Sequence, residues 1–258
     1  MRKHFIRVVR SLKIRIKCFF SGAGMRSFFK SISVFEWIMW CASTVCATVC
    51  FFAFGNTNYH YLIGAVIGFT MLIFMAKGNP FGQILSIVFS VFYGIISYSF
   101  KYYGEMITYL GMTAPMAVFV LITWLKNPYN GNRTEVKVGT LTKLEKILFV
   151  VISAVVTVAF FFILRALGTA NLLVSTLSVL TSFMAVFLSS RRSRFYAVCY
   201  ALNDIVLITL WGMASSEDIM YLPMVVCFSA FLIMDIYGFV NWGRIRKRQS
   251  ENTQTLQK

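Results

Sequence analysis

Eight stretches of roughly twenty residues, nearly empty of charge, leave this chain few ways to fold. They run near 34–54, 58–76, 81–100, 104–124, 144–164, 170–189, 195–212 and 219–242. A helix needs about 20 apolar residues to cross the hydrocarbon of a bilayer. In that medium every backbone polar group must find its partner within the protein, so runs of this length become helices. The expectation is an all-α membrane protein with eight transmembrane helices. Its 58% hydrophobic and 13% charged side chains agree, against about 25% charged in a soluble domain.

The connections are short except at 125–143, where KNPYNGNRTEVKVGT is rich in turn-forming and polar residues. This is the natural hinge between two halves. With the N-terminus inside, 23 of the 25 Lys and Arg fall on one side of the membrane, and only Lys101 and Arg165 on the other. Cytoplasmic loops collect positive charge in this way. The pattern predicts a multi-pass protein of the cell membrane with both termini cytoplasmic. It also accounts for the net charge of +16 without a nucleic-acid partner. Residues 1–33 form a basic N-terminal segment that suits either an interfacial helix on anionic membrane lipids or a solvated tail. Residues 244–258 form a basic tail.

The two halves resemble each other. Gly55-Asn56-Thr57-Asn58 aligns with Gly168-Thr169-Ala170-Asn171, and Glu105-Met106-Ile107-Thr108-Tyr109 with Glu217-Asp218-Ile219-Met220-Tyr221. The expected plan is a first three-helix repeat at 55–124, a cytoplasmic loop and linking helix at 125–164, and a second repeat at 165–243. An extra helix at 34–54 precedes them. An odd number of linking crossings gives both repeats the same orientation. Parallel repeats of this kind are a transporter architecture, with the substrate near the midplane.

Polar groups set into hydrocarbon are expensive and mark function. Asn203 and Asp204 lie mid-span in YALNDIVLITLW; an interhelical hydrogen bond is the competing role. Asp235, in FLIMDIYGFVNW, suits either a cavity wall or a tie to a basic loop. Asn79 and Gln83 are one helical turn apart near the inner mouth, although Asn79 before Pro80 also reads as a helix cap. Tyr93 lies deeper near that face. Trp124, Trp211 and Trp242 are expected in the interfacial aromatic belt, with Trp211 also placed to stack on a ring two turns from Asn203. Glu36 is expected at the interface, and Glu105 in an exposed outer turn.

Other chemistries lack their residues. The sequence has no Walker A loop for ATP and no Ser/His/Asp set, and its acids are too scattered for a membrane-embedded lipid enzyme. The cysteines show no C-x-x-C spacing. With His4 in the leader and His60 near an outer boundary, neither a metal nor another cofactor is expected.

The K-G-N-P-F-G-Q run at 77–83, Tyr93, Y-G-E at 103–105, Pro115, Trp124, N-D at 203–204 and Y-G-x-x-N-W at 237–242 together resemble the PnuC-type vitamin transporters, relatives of the SWEET sugar transporters. The resemblance covers roughly residues 55–243. It implies a 3+1+3 SWEET-like core, usually a homotrimer, and ATP-independent uptake of nicotinamide riboside, drawn inward by a cytoplasmic kinase that traps the cargo. It places Asn79, Gln83, Tyr93, Asn203 and Trp211 near the ligand. Two positions where the family pattern leads one to expect Trp are Tyr196 and Tyr200. Relatives carry thiamine, riboflavin or deoxynucleosides, which are the alternative cargoes.

Overall fold

The computed structural model describes residues 29, 31–54, 59–99, 103–169 and 171–255. The basic leader, residues 55–58 that open the aligned motif, and the last three residues lie outside the described residues. Among the described residues the α-helical segments are α1 Val34–Ala53, α2 His60–Ala76, α3 Phe81–Ser99, α4 Tyr103–Ile107, α5 Ala114–Lys126, α6 Lys143–Ala166, α7 Leu172–Ser190, α8 Tyr196–Glu217 and α9 Leu222–Thr255. A π-helical turn, Thr108–Thr113, fuses α4 and α5 into one crossing. Seven crossings are long and apolar enough to span a membrane, and α2 is a shorter apolar helix. The fold is therefore that of an all-helical membrane protein. One small departure is a two-stranded antiparallel ribbon, β1 Pro128–Tyr129 and β2 Asn132–Val136, which turns at Asn130 and Gly131, both at positive φ.

Local sequence chemistry sets the ends. Ser33-x-x-Glu36 and Thr142-x-x-Glu145 each form a reciprocal capping box, opening α1 and α6. Gly78 and Arg192 take positive φ just after α2 and α7, closing both helices with backbone bonds back into their last turn. The π turn has a cause two residues beyond it. Pro115 has no N–H to donate into the preceding turn, and the widened segment absorbs the gap, with Thr113 Oγ1 donating to the Thr108 carbonyl at 3.2 Å.

The helices close into a ring. α2 packs on α3, α3 on α5, α5 on α7, α7 on α8, α8 on α9, and α9 returns to α2. α1 lies outside it against α2 and α9, and α6 outside it against α7. Both outer helices keep most of their surface exposed, as lipid-facing apolar helices do. Close approach inside the ring needs glycine. A Cβ on Gly82 would sit 2.6 Å from Met75 Cγ and 2.8 Å from the Met75 backbone nitrogen. Since that backbone cannot swing aside, Gly82→Ala should lower the melting temperature of the purified protein by several degrees, at about 1–3 kcal/mol for overpacking. An unchanged melting curve would show that α2 and α3 are not so closely joined.

Glu36 is not interfacial. It is 1% exposed and accepts from Lys77 Nζ at 2.8 and 3.0 Å, from the Tyr237 hydroxyl at 2.9 Å and from the Ser33 backbone N–H at 2.7 Å. One carboxylate thereby ties α1 to the α2–α3 turn and to α9. Lys77→Met strands that buried anion and should cost about 1–3 kcal/mol, read as a lower melting temperature that Glu36→Gln partly restores in the double variant.

A polar cavity between two aromatic layers

The ring encloses a cavity of about 550 Å³ of free space, its mouth included. One wall is polar, with Asn203 and Asp204 from α8 and Asp235 from α9. Ser86 and Ser90 of α3, Thr113 of the π turn and Ser182 of α7 add hydroxyls. Aromatic side chains complete the lining: Phe89, Tyr109, Tyr200, Phe228 and Phe231. Among the described residues no Lys, Arg or His lines it.

Asn203 is held from one side only. Its Oδ1 accepts from Ser178 (3.3 Å), Thr181 (2.9 Å) and Ser182 (3.0 Å), three hydroxyls spread over little more than one turn of α7. The carbonyl end is thereby committed to the protein, which leaves the amide nitrogen as the donor available to the cavity. Asp204 and Asp235, on the adjacent helices α8 and α9, both line the cavity and are buried, and Asp204 Oδ2 has no hydrogen-bond partner. Asp235 is a cavity residue, which decides between its two roles in favour of the wall.

Above this level lies an aromatic cluster. Trp211 Nε1 donates to the Tyr93 hydroxyl at 2.8 Å, and Tyr93 packs on Tyr109 (centroids 4.2 Å), Phe89 (5.7 Å) and Phe228 (6.0 Å). Tyr93 and Trp211 thus support the ring wall from behind; Tyr93 faces an adjoining apolar pocket bounded by α1, α2, α3 and α9. Glu105 lies beside this cluster. It is 3% exposed with Oε2 unpartnered, so the expectation of an exposed turn there fails, because α4 folds inward instead of capping the bundle.

Below the cavity, Trp124, Tyr196 and Trp242 form a floor. Trp124 lies 5.5 Å from Trp242, and Tyr196 lies 5.1 Å from Trp242. Trp242 Nε1 and the Tyr196 hydroxyl donate to the Met75 carbonyl at 2.9 and 3.1 Å, while Trp124 Nε1 donates to the Ser189 carbonyl at 2.8 Å. The Met75 and Ser189 carbonyls, in the last turns of α2 and α7, also accept from the Gly78 and Arg192 N–H groups at 2.9 Å, so each Trp or Tyr bond adds a further donor to a carbonyl with two lone pairs. The three Trp expected in the interfacial belt are instead buried, none more than 1% exposed: Trp124 and Trp242 donate to these helix-end carbonyls, and Trp211 to the Tyr93 hydroxyl.

Asn79 and Gln83 sit at floor level, outside the cavity lining. Asn79 Oδ1 caps α3 through the Phe81 N–H at 2.9 Å, and its buried Nδ2 has no partner. Gln83 Nε2 reaches Ser189 Oγ at 3.5 Å. A strap crosses beneath them: the Val136 N–H donates to the Gly78 carbonyl (2.9 Å) and the Gly139 N–H to the Arg192 carbonyl (3.0 Å). Gln249 of α9 pins it on both sides, accepting from Val138 N–H and donating to the Val136 carbonyl.

The sequence reading found Asn203 and Asp204 but left out of the site the serines of α3 and the aromatic wall. A serine or phenylalanine in a span carries no signal of which way it faces. Pro115 was the available sign of the π turn that brings Tyr109 and Thr113 to the cavity.

Comparisons with known proteins agree with this architecture. The chain is 28% identical over 203 residues, 77% of each chain, to a nicotinamide riboside transporter PnuC of Neisseria mucosa. It is 23% identical over 212 residues to that of Haemophilus influenzae, covering 82% of this chain and 91% of the relative. A crystal structure titled as the vitamin B3 transporter PnuC superposes with a TM-score of 0.75 at 27% identity, over 87% of this chain and 97% of the other. The sequence profile named nicotinamide mononucleotide transporter matches residues 58–244. A match of that extent, on a ring of membrane helices around a polar cavity, establishes that this chain belongs to the nicotinamide mononucleotide transporter family.

Proposed function

We propose that this transporter carries nicotinamide riboside across the cell membrane by alternating access, without ATP. The observation that supports it most is the cavity itself, where a cationic pyridinium finds both of its preferred partners. Aromatic faces attract a ring cation by about 0.5–2 kcal/mol each, and two carboxyl groups share the same lining. The amide nitrogen of Asn203, with the hydroxyls of Ser86, Ser90 and Ser182, suits a carboxamide and a ribose. The names borne by the relatives point to the same cargo.

The two aromatic layers are the gates of this mechanism. The floor at Trp124 and Trp242 and the cluster at Tyr93 and Trp211 open in turn. Asn79 and Gln83, with Ser189, then meet the cargo as it leaves past the floor. The helices divide into two parallel triplets, α2 to α5 and α7 to α9, as in a SWEET-like 3+1+3 core with α1 added and α6 linking. The reciprocal Trp bonds favour this division: the last helix of each triplet donates to the end of the first helix of the other. Glu105 and Glu217 do not support the alignment equally, since Glu105 is buried and Glu217 exposed at the end of α8. The positively charged end faces the cytoplasm, so both termini lie there; a kinase there traps the cargo, and the working assembly is a homotrimer.

Purified protein in proteoliposomes should take up labelled nicotinamide riboside saturably and far faster than empty vesicles. Uptake equal to that of empty vesicles would remove this cargo. Tyr200 lies in the cavity where the family pattern leads one to expect Trp, so thiamine, riboflavin and deoxynucleosides serve as competitors in the same assay, and stronger competition by any of them would name it instead.

A further inference from the structure

We propose that the seam between α8 and α9, at the basic end of the bundle, binds the phosphate headgroup of an anionic phospholipid. Arg194, in the turn that leads into α8, is its centre. The guanidinium Cζ lies 5.1 Å from the ring centroid of Phe195 and 5.1 Å from that of Phe239 on α9. These two rings pack on each other at 5.9 Å, so the guanidinium caps the pair and bridges the head of α8 to α9. Its Nε has no hydrogen-bond partner, and among the described residues no carboxylate pairs with it. Other cations of this end are satisfied: Lys77 by Glu36, Arg191 by Glu145 and Arg248 by Glu135. Arg244, one helical turn past Val240 on α9, is exposed and likewise lacks a carboxylate among the described residues.

The surface next to this cation is hydrocarbon. Phe195, Val198 and Leu202 at the start of α8, and Ile236 and Val240 of α9, are exposed. Their spacings of three and four put each set on one face of its helix. A ligand for the seam therefore needs an anion at the level of Arg194 and apolar chains running from it along α8 and α9. An anionic phospholipid has both. The guanidinium offers a planar fork that takes two phosphate oxygens at once. Its packing on the two rings has already restricted its rotamers, so less freedom is lost on binding. Basic sites between transmembrane helices hold anionic headgroups in this way. Two cations without carboxylates disfavour a zwitterionic lipid, whose ammonium would be brought up to like charge. Bound there, the lipid fastens the turn that opens α8 to α9, the helices that carry Asn203, Asp204 and Asp235.

The experiment is thermal unfolding of the detergent-purified full chain with added lipid. Dioleoylphosphatidylglycerol should raise the melting temperature saturably by several degrees, while dioleoylphosphatidylcholine at the same concentration leaves it unchanged. Arg194→Gln should need about five- to tenfold more phosphatidylglycerol for half the effect. Arg194→Lys, which keeps the charge without the fork, should fall close to it. Lys146→Gln removes one positive charge from α6, which lies outside the ring against α7, and should respond like the parent. Equal shifts with the two lipids would overturn the site. So would a phosphatidylglycerol effect weakened as much by Lys146→Gln as by Arg194→Gln, since net charge alone would then account for it. Inorganic phosphate reproducing the shift would make this a free-anion site and not a lipid one. If Arg194→Gln fails to fold, Arg244→Gln replaces it in the comparison with the same weakening expected, and a parent-like response there would count against the site. None of these readings involves nicotinamide riboside, so the site and the cargo stand or fall separately.

Discussion

Asn203→Ala should abolish saturable uptake of nicotinamide riboside while the protein remains folded. The reason is an asymmetry in the hydrogen bonds around this residue. Its Oδ1 receives three hydroxyls from α7, and the loss of a polar partner in a buried site normally costs about 1–3 kcal/mol. Here the hydroxyls have an alternative. Thr181 Oγ1 already lies 2.9 Å from the Leu177 carbonyl of its own helix, the back-bonding that serine and threonine adopt freely within helices. The stability cost should therefore fall near 1 kcal/mol. The cargo has no such alternative, because the carboxamide loses its donor in a site shut off from water. A site built to bond a polar group typically discriminates by several orders of magnitude against its absence. The expected result is a loss of affinity of about a hundredfold or more, read by titration of the purified variant, with a melting temperature within a few degrees of the parent. Unchanged affinity would remove Asn203 from the site. A collapsed melting curve would make it a structural link between α7 and α8 instead.

Trp242→Ala should be the most damaging single change to stability. Trp242 is fully buried, packs at a tilt against Trp124 and edge-on against Tyr196, and supplies a donor to the Met75 carbonyl. Removing a buried Trp costs about 3–5 kcal/mol, although the carbonyl keeps the Gly78 N–H and the Tyr196 hydroxyl as donors. Trp242→Phe keeps most of the volume and loses the N–H. It should cost about 1–2 kcal/mol and loosen the floor, so that vesicles containing it leak preloaded cargo faster than the parent. If the alanine variant melted like the parent, the floor would be no structural element of the bundle.

The number of crossings and their approximate bounds could be read from the sequence because hydrocarbon imposes one rule on every segment. A charge-free run of the right length has to be a helix, and each of the eight expected spans coincides with one. The site was partly legible for the same reason. Asn203 and Asp204 are expensive in a span, so their presence signals a cavity wherever the helix faces. Asp235 carried the same signal but has basic residues in the following turns, and only packing decides whether it points down to them or across to Asp204. The tryptophans misled. A Trp near a span end looks the same whether its N–H meets lipid headgroups or an acceptor inside the bundle; here the Ser189 and Met75 carbonyls took Trp124 and Trp242, and the Tyr93 hydroxyl took Trp211. The hydroxyls that fix Asn203 were invisible because Ser178, Thr181 and Ser182 take on meaning only when α7 turns them toward α8.

The claim on which the account depends is that the cargo rests between the aromatic wall and the two carboxyls. A structure of the chain determined with nicotinamide riboside bound tests it most directly. The account predicts the pyridinium ring stacked among Phe89, Tyr109, Tyr200 and Phe231, its charge within about 4–6 Å of the Asp204 or Asp235 carboxyl, and its carboxamide or ribose bonded to Asn203 Nδ2. Cargo density at Asn79 and Gln83 with the central cavity empty, or on the lipid-facing side of α6, would contradict it.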